Sequence, residues 1–148
     1  MENIESEKKE NQQKSLKELT RAEEEVMQAL WKLQKAFAKD VLKELNDKRS
    51  DEKDKLAYNT VSTIIRILEE KGFVGHKAYG KTHEYFPLVE KSIYSNFFLK
   101  NFMGKYFSGS FEKMVSFFVK QNNVDAKEFE DLMKYVENEL KDEEEKNN

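Results

Sequence analysis

The stretch Ala57–Val74, which reads AYNTVSTIIRILEEKGFV, decides the fold of this 148-residue chain. Its apolar residues recur at positions i, i+3, i+4 and i+7, the spacing of one face of a helix: Val61, Ile64, Ile65 and Leu68. Gly72 follows the last turn and is a common helix terminator. The pattern predicts a helix from about Ala57 to Lys71 that packs one face into a core.

A second face of this helix is polar and has the composition of a DNA-reading surface. Asparagine can bond adenine through two hydrogen bonds, arginine binds guanine or phosphate, and hydroxyls bond bases or phosphates. A polar face is also what any amphipathic helix presents to water. We predict that this face contacts DNA through Asn59, Thr60, Ser62, Thr63 and Arg66.

The residues after Gly72 change to a pattern typical of strands. The segment Phe73–Val89 has a turn candidate at Tyr79–Thr82 and ends near the only proline, Pro87. These features predict a β-hairpin with a basic tip.

Positive charge is concentrated around this helix and hairpin. Residues 53–83 contain six basic and three acidic side chains, whereas the whole chain has a net charge of −3. Clustered positive charge is what binding to phosphates requires. We expect Lys77 and Lys81 on the hairpin to contact DNA phosphates or the minor groove, and Lys55 before the helix to contact the DNA backbone.

Two further helices are predicted upstream. Thr20 and Glu23 have the spacing of a capping box, which starts the first helix. A second, shorter helix contains Val41, Leu42 and Leu45. Three helices followed by a hairpin is the order of a winged helix-turn-helix domain, whose third helix enters a major groove. The predicted fold class is therefore mainly α (α+β), with a winged-helix DNA-binding domain at residues 16–89.

Three short helices rich in aromatic residues are predicted beyond Pro87. Helices this short cannot bury their apolar faces among themselves, so a partner surface is expected, and a symmetric dimer supplies one. A ligand pocket is the alternative use of these side chains. The arm is expected to span residues 90–141, between disordered segments at 1–15 and 142–148. Its expected dimer contacts are Phe98, Phe102, Tyr106, Phe111, Met114, Phe118, Phe129, Leu132, Met133 and Val136.

Composition excludes several classes of function. The chain has no cysteine, so it has no disulfide, no thiolate nucleophile and no cysteine-based metal site. No apolar run approaches the ~20 residues of a membrane span, and no secretion signal is visible, so a cytoplasmic protein without membrane insertion is expected. No nucleophile and base converge in the pattern. We therefore predict neither an enzyme nor a cofactor.

The two histidines raise the question of a metal site. His76 and His83 lie nearly opposite each other if the hairpin turn is centred on Tyr79-Gly80, but they do not if it is centred on Gly80-Lys81. No third ligand has a matching spacing. We predict no metal site.

The chain resembles the BlaI/MecI/CopY family of bacterial repressors from about Leu16 to Leu140. The resemblance implies a dimer on an operator with dyad symmetry, and a membrane-bound sensor protease as a partner. It rests on Leu19-Thr20, Glu23, Val26-Met27, Leu30-Trp31, Tyr58–Thr63, Leu68–Val74, Gly80-Lys81 and Tyr85–Val89.

Two departures limit what this resemblance implies. The penicillinase branch of the family is cleaved at an Asn-Phe bond in the middle helix of the arm, and the matching pair here is Phe117-Phe118. The asparagine is missing, so cleavage in this region is only an expectation. The copper-responsive branch binds metal through C-terminal cysteines, which this chain lacks.

These patterns predict a dimeric DNA-binding transcriptional repressor that an upstream signal releases from its operator, with proteolysis as one route. Two alternatives stay open. A winged helix can also serve as a protein-interaction module, and the acidic average charge would suit that role. A repressor of this architecture can also sense a small molecule bound in the helical arm.

Overall fold

The computed structural model describes residues 4–8 and 16–148. Residues 4–8 are helical, and the rest of the segment predicted as disordered at 1–15 lies outside the described residues. The fold class is confirmed, with helices predominating over one small sheet. In chain order the elements are α1 (Arg21–Leu33), β1 (Ala36–Phe37), α2 (Ala38–Asp47), a 3₁₀ turn (Glu52–Asp54), α3 (Tyr58–Glu70), β2 (Val74–Tyr79), β3 (Thr82–Pro87), α4 (Lys91–Phe107), α5 (Phe111–Gln121) and α6 (Ala126–Asn147).

The chain divides into two compact units, residues 1–99 and residues 100–148. The division falls inside α4, at residue 99 rather than at the boundary expected at residue 89. The reason is that the first turns of α4 belong to the core of the first unit. Ile93 and Tyr94 are buried there, and the Tyr94 hydroxyl accepts a hydrogen bond of 3.0 Å from the backbone N–H of Leu19.

One apolar core joins the three helices and the sheet of the first unit. The apolar face of α3 supplies Val61, Ile65 and Leu68, all fully buried, as predicted. Trp31 closes one side of this core, and its indole N–H donates to the backbone oxygen of Val89 at 2.9 Å. The other large side chains that are fully buried in the described part of the chain are Val26, Met27, Leu30, Val41, Phe73 and Val74.

The sheet has three antiparallel strands in the order β1-β3-β2, rather than the two strands of the predicted hairpin. The additional strand is only Ala36–Phe37, which pairs with Tyr85 and Glu84 of β3. Two residues are too few to show a period of two, so the sequence pattern could not reveal this strand.

The predicted capping box starts α1. The Thr20 hydroxyl accepts from the backbone N–H of Glu23, whose carboxylate accepts from the backbone N–H of Thr20 at 3.1 Å. The same carboxylate pairs with Lys71 just after α3, at 2.7 Å. Burial alone raises the pKa of Glu23, but hydrogen bonds from Lys71 and Thr20 outweigh it, so the pKa lies below its usual value. The ion pair thus fixes the end of α3 to the start of α1.

Helix α3 ends at Gly72, as predicted, through a Schellman motif. Gly72 has a φ of +84°, a left-handed conformation that costs glycine little. Its N–H donates to the carbonyl of Glu69, and the N–H of Phe73 donates to the carbonyl of Leu68. These two bonds satisfy carbonyls that the helix end would otherwise leave free. After this motif the chain continues directly into strand β2.

The second unit consists of the last part of α4 together with α5 and α6. The side chains of Ser110 and Asp125 cap α5 and α6 by accepting from backbone N–H groups three residues ahead. Helix α6 continues to Asn147, through residues 142–147, where a disordered tail was expected. These residues include no glycine or proline and are mostly glutamate and lysine, which are good helix formers.

None of the helices in the described part of the chain combines the length and apolar composition of a membrane span.

Candidate nucleic-acid interface

The polar face of α3 is open to solvent along most of its length. Asn59, Thr60, Thr63 and Arg66 are all exposed, as a DNA-reading face requires. Ser62 differs from the expectation, because only 9% of its surface is accessible. An ideal helix places Ser62 with the polar group, but here β3 and the start of α2 lie beside this part of α3.

A cleft of about 460 Å³ opens where the start of α2, the polar side of α3 and the hairpin come together. It unites three of the predicted DNA-contact residues, Ser62, Arg66 and Lys81, from distant parts of the sequence. The full lining is Phe37, Ala38, Lys39, Tyr58, Ser62, Arg66, Lys81, Thr82, His83 and Tyr85.

The cations at this cleft are free to bind an external anion. Among the described residues, Arg66 and Lys81 form no salt bridge within 4.0 Å. Lys39, in the first turn of α2, has no salt bridge in the described part of the chain, and its Nζ lies 5.9 Å from the ring centre of Phe37. Three unpaired cations around one groove are suited to a polyanion.

The other predicted contact residues lie outside the cleft lining. Asn59, Thr60 and Thr63 line the open side of α3. Lys77 on β2 lies over the ring of Tyr79 at 5.3 Å, and Lys55 pairs with Glu52 at 2.9 Å. Both lysines are exposed, so these weak contacts leave their charges accessible.

Sequence reasoning missed Lys39, Tyr58 and Thr82 as parts of this groove. Lys39 was missed because the start of α2 was not located from the pattern. Its signal was the spacing of Phe37 and Asp40, since the Asp40 carboxylate accepts from the backbone N–H of Phe37 at 3.0 Å and so begins the helix.

The hairpin turn is centred on Gly80-Lys81, the second of the two registers considered. Tyr79 pairs with Thr82, so His83 is opposite Ala78 and His76 is opposite Tyr85. The two histidines are diagonal neighbours on one face of the hairpin, and their rings stack with centres 4.1 Å apart at an angle of 7°. Within residues 4–8 and 16–148, no three histidine, cysteine or acidic side chains are grouped as metal ligands.

Tyr85 lies next to the histidines at the inner wall of the cleft. Burial raises the pKa of its hydroxyl, the carboxylate of Glu69 raises it further, and Arg66 acts in the opposite direction. Because the net shift is upward, Tyr85 is a neutral phenol at neutral pH.

The second unit presents the predicted dimer residues on its surface. Phe102, Met114 and Phe129 are half-buried. The exposed members of the set are Phe98, at the end of the first unit, and Tyr106, Phe111, Phe118, Leu132, Met133 and Val136 in the second. Phe117 and Phe118 lie within the continuous helix α5 and are 53% and 62% exposed.

An apolar groove of about 610 Å³ runs between α5 and α6. It brings together five of the ten predicted dimer residues, whereas Phe98, Phe102, Tyr106, Met114 and Phe118 lie outside its lining. The lining is Phe111, Glu112, Val115, Ser116, Val119, Lys120, Phe129, Leu132, Met133 and Val136.

Comparison with known proteins gives consistent matches. The model of the penicillinase repressor family matches residues 19–138. The methicillin resistance regulatory protein MecI of Mammaliicoccus sciuri is 34% identical over 115 residues, covering 78% of this chain and 89% of the relative. The penicillinase repressor of Bacillus licheniformis is 27% identical over 124 residues, covering 84% of this chain and 93% of the relative.

Among solved structures, the DNA-binding domain of the repressor BlaI aligns with a TM-score of 0.43 and 28% identity, covering 52% of this chain and 88% of that domain. The family model and the two relatives confirm the resemblance inferred from the motifs. The chain belongs to the penicillinase repressor family, a family of DNA-binding transcriptional repressors, and it is not an enzyme.

Proposed function

We propose that this repressor binds a dyad-symmetric operator as a homodimer, with one α3 in each of two successive major grooves. The observation that carries the proposal is the groove beside the exposed face of α3, in which Arg66, Lys81 and Lys39 have no salt-bridge partner among residues 4–8 and 16–148. In this arrangement α3 reads base edges, and the hairpin lysines position the domain on the phosphates.

The second copy of the chain is inferred from the second unit. Of residues 100–148, none is buried, and yet the unit contains many large apolar side chains. A set of helices without a buried residue gains too little from the hydrophobic effect to be stable by itself. A symmetric partner covering the groove between α5 and α6 supplies the missing apolar surface.

Release from the operator follows if the dimer is weakened. The resemblance implies a membrane-bound sensor protease that cuts the arm, and the corresponding bond here is Phe117-Phe118. That bond lies in the interior of α5, and its two aromatic side chains are exposed. A protease would have to unwind this helix locally before cutting it, so cleavage depends on the stability of α5.

The test is fluorescence anisotropy with a labelled duplex from the region upstream of this protein's own gene, compared with a scrambled duplex at two salt concentrations. We expect tighter binding to the upstream duplex and a steep loss of affinity with salt. Equal, salt-insensitive binding to both duplexes contradicts the proposal and favours a protein-interaction module.

The recognition helix is tested by Arg66→Ala. The substitution removes a hydrogen-bonding cation from the base or phosphate that it binds, so operator affinity should fall about tenfold or more. If that partner is a phosphate, the salt slope should also decrease by about one. Arg21→Ala is the matched control, because Arg21 is 96% exposed on α1 and does not line the cleft. Equal affinity of the Arg66 variant and the wild type would remove α3 from the interface.

The groove between α5 and α6 also favours a second candidate function, a repressor that senses an apolar small molecule. Its lining is mostly aliphatic and aromatic, and its volume of about 610 Å³ is in the range of ligand sites. A melting temperature that rises with ligand concentration would support this function. A dimer that buries the groove would exclude it.

A further inference from the structure

We propose that His83 is a further DNA-contact residue that takes up a proton when DNA binds, and that His76 and Glu69 position it. The inference rests on the proposed function, since it concerns the same cleft. It predicts that operator affinity rises as the pH falls from 8 to 6.

The first observation is where His83 lies. It is on β3, half-buried, in the wall of the cleft that also contains Arg66 and Lys81. A phosphate held by those two cations would lie in the same groove as the imidazole. A charged imidazolium would add a third charge-assisted hydrogen bond to such a phosphate.

The second observation is how the ring is held. His83 stacks on His76 with ring centres 4.1 Å apart, and both rings contact the edge of Tyr85 at about 6 Å. The Nδ1 atom of His76 is 2.6 Å from Oε2 of Glu69, near the end of α3. An ionised carboxylate only accepts, so Nδ1 of His76 donates, and this bond fixes its ring plane. Because the two rings are stacked, the orientation of the His76 ring also restricts that of the His83 ring.

Charged and titratable groups from several elements lie around the stacked pair. The groups that face the stacked pair are Glu69, Arg66 and Tyr58 from α3, Tyr85 from β3, Lys81 from the turn and Lys39 from α2.

The remaining charged groups of the hairpin lie on its other face. Lys77 and Glu84 pair across the strands, and successive side chains of a strand alternate between faces. When DNA enters the cleft, its phosphates bring negative charge to the wall that contains His83. Protonation of His83 is then favoured, so DNA binding and proton uptake are linked.

The composition of the chain makes this linkage simple to test. His76 and His83 are its only histidines, and it has no cysteine. Histidine is the side chain that ordinarily changes charge between pH 5 and 8. A change in operator affinity over this range therefore points to these two rings.

The experiment measures operator binding by anisotropy at pH 6, 7 and 8 and constant ionic strength, for wild type and for His83→Gln. One proton taken up changes affinity by at most tenfold per pH unit, so wild-type Kd should fall about 3- to 10-fold between pH 8 and pH 6. The His83→Gln variant keeps a polar side chain but cannot become charged, so it should lose most of the pH dependence.

A second readout is the ¹H–¹³C NMR spectrum of the two imidazole Cε1–H groups at pH 7, with His76→Gln to assign them. Adding operator should shift the His83 signal towards its protonated position. A wild-type affinity independent of pH, or a full pH dependence in His83→Gln, overturns the inference and leaves salt-dependent operator binding intact. Absence of selective binding at every pH overturns the proposed function as well.

Discussion

At the scale of single residues, Glu23 connects two elements that are 48 positions apart in the sequence. Its carboxylate is at once part of the α1 capping box and the partner of Lys71 beyond the end of α3. The side chain of Glu23 is only 6% exposed and that of Lys71 is 31% exposed, so solvent screens this pair less than it screens a surface pair. The orientation of α3 therefore depends in part on one charge in another helix.

Glu23→Gln should lower the free energy of unfolding by about 1–3 kcal/mol at pH 7, because the buried pair loses its charge. The lowered pKa of Glu23 means that its contribution is present above the unfolded-state value and disappears as the pH falls through the folded-state value. The difference between variant and wild type should therefore shrink below about pH 4. Urea unfolding at pH 7 and pH 3.5 measures both effects.

Glu24→Gln is the control for this prediction, since it removes the same charge from the same helical turn without breaking a salt bridge in the described part of the chain. Its effect should stay within a few tenths of a kcal/mol. Equal effects of the two substitutions would show that helix-dipole electrostatics, rather than the pair with Lys71, stabilises this end of α1.

Among single residues, the sequence predicted which polar side chains are fully exposed better than which are partly covered by other elements. Arg66 and Thr63 are exposed as expected because the helical period alone places them on the polar face. Ser62 and Lys39 were misjudged or missed because their surroundings come from segments distant in sequence. The helical periodicity of a sequence cannot show which of two polar residues will be covered by a strand from elsewhere in the chain.

At the scale of elements, helix α3 was the most predictable part of the chain. Its apolar period and its stop at Gly72 are local signals, and both are seen in the structure. The strand β1 was not predictable, because it exists only where β3 offers an edge with which to pair. The register of the hairpin was likewise open until the turn at Gly80-Lys81 was known.

Substitutions at two glycines separate the effect of backbone conformation on stability from the effect of side-chain packing. A Cβ added at Gly72 or at Gly104 would meet no atom within 4 Å, so neither substitution creates a clash. Gly72 has a φ of +84°, whereas Gly104 lies inside the helix α4. Gly72→Ala should therefore destabilise by about 1 kcal/mol, and Gly104→Ala should stabilise by about 0.5–1 kcal/mol.

Chemical unfolding followed by circular dichroism compares these two variants with wild type. A stabilising effect of Gly72→Ala would mean that the chain does not need the left-handed residue after α3. A destabilising Gly104→Ala would indicate a close approach of another copy of the chain at that position.

At the scale of the whole molecule, the residue at which the first unit ends was harder to predict than the helices and strands that the unit contains. The sequence placed the boundary after Val89, where the hairpin ends. The structure extends the unit to residue 99 because Ile93 and Tyr94 complete its core. The local sequence of a helix does not show whether its first turns pack against the preceding domain or belong to the next unit.

Association of two copies is tested by Leu132→Asp. Leu132 lines the groove between α5 and α6 and is 51% exposed, so a carboxylate there would leave the groove accessible but oppose its burial. Sedimentation equilibrium should show a dimer for wild type and a monomer for the variant. The melting temperature of wild type should rise with protein concentration, and that of the variant should not.

Asn138→Asp is the matched control, because it adds the same charge to α6 at a position outside the groove lining. It should remain dimeric. Dissociation of both variants would point to a general effect of negative charge on α6, and a dimeric Leu132→Asp would move the interface away from the groove.

The single tryptophan has a practical consequence for all of these measurements. Trp31 lies in the core of the first unit, and its indole is bonded to the backbone at the end of the hairpin, whereas the second unit contains tyrosines but no tryptophan. Emission excited at a wavelength selective for indole thus reports on the first unit alone, while far-ultraviolet dichroism reports on both units. The wild-type chain therefore contains its own optical probe. A comparison of the two signals would show whether the second unit unfolds before the first.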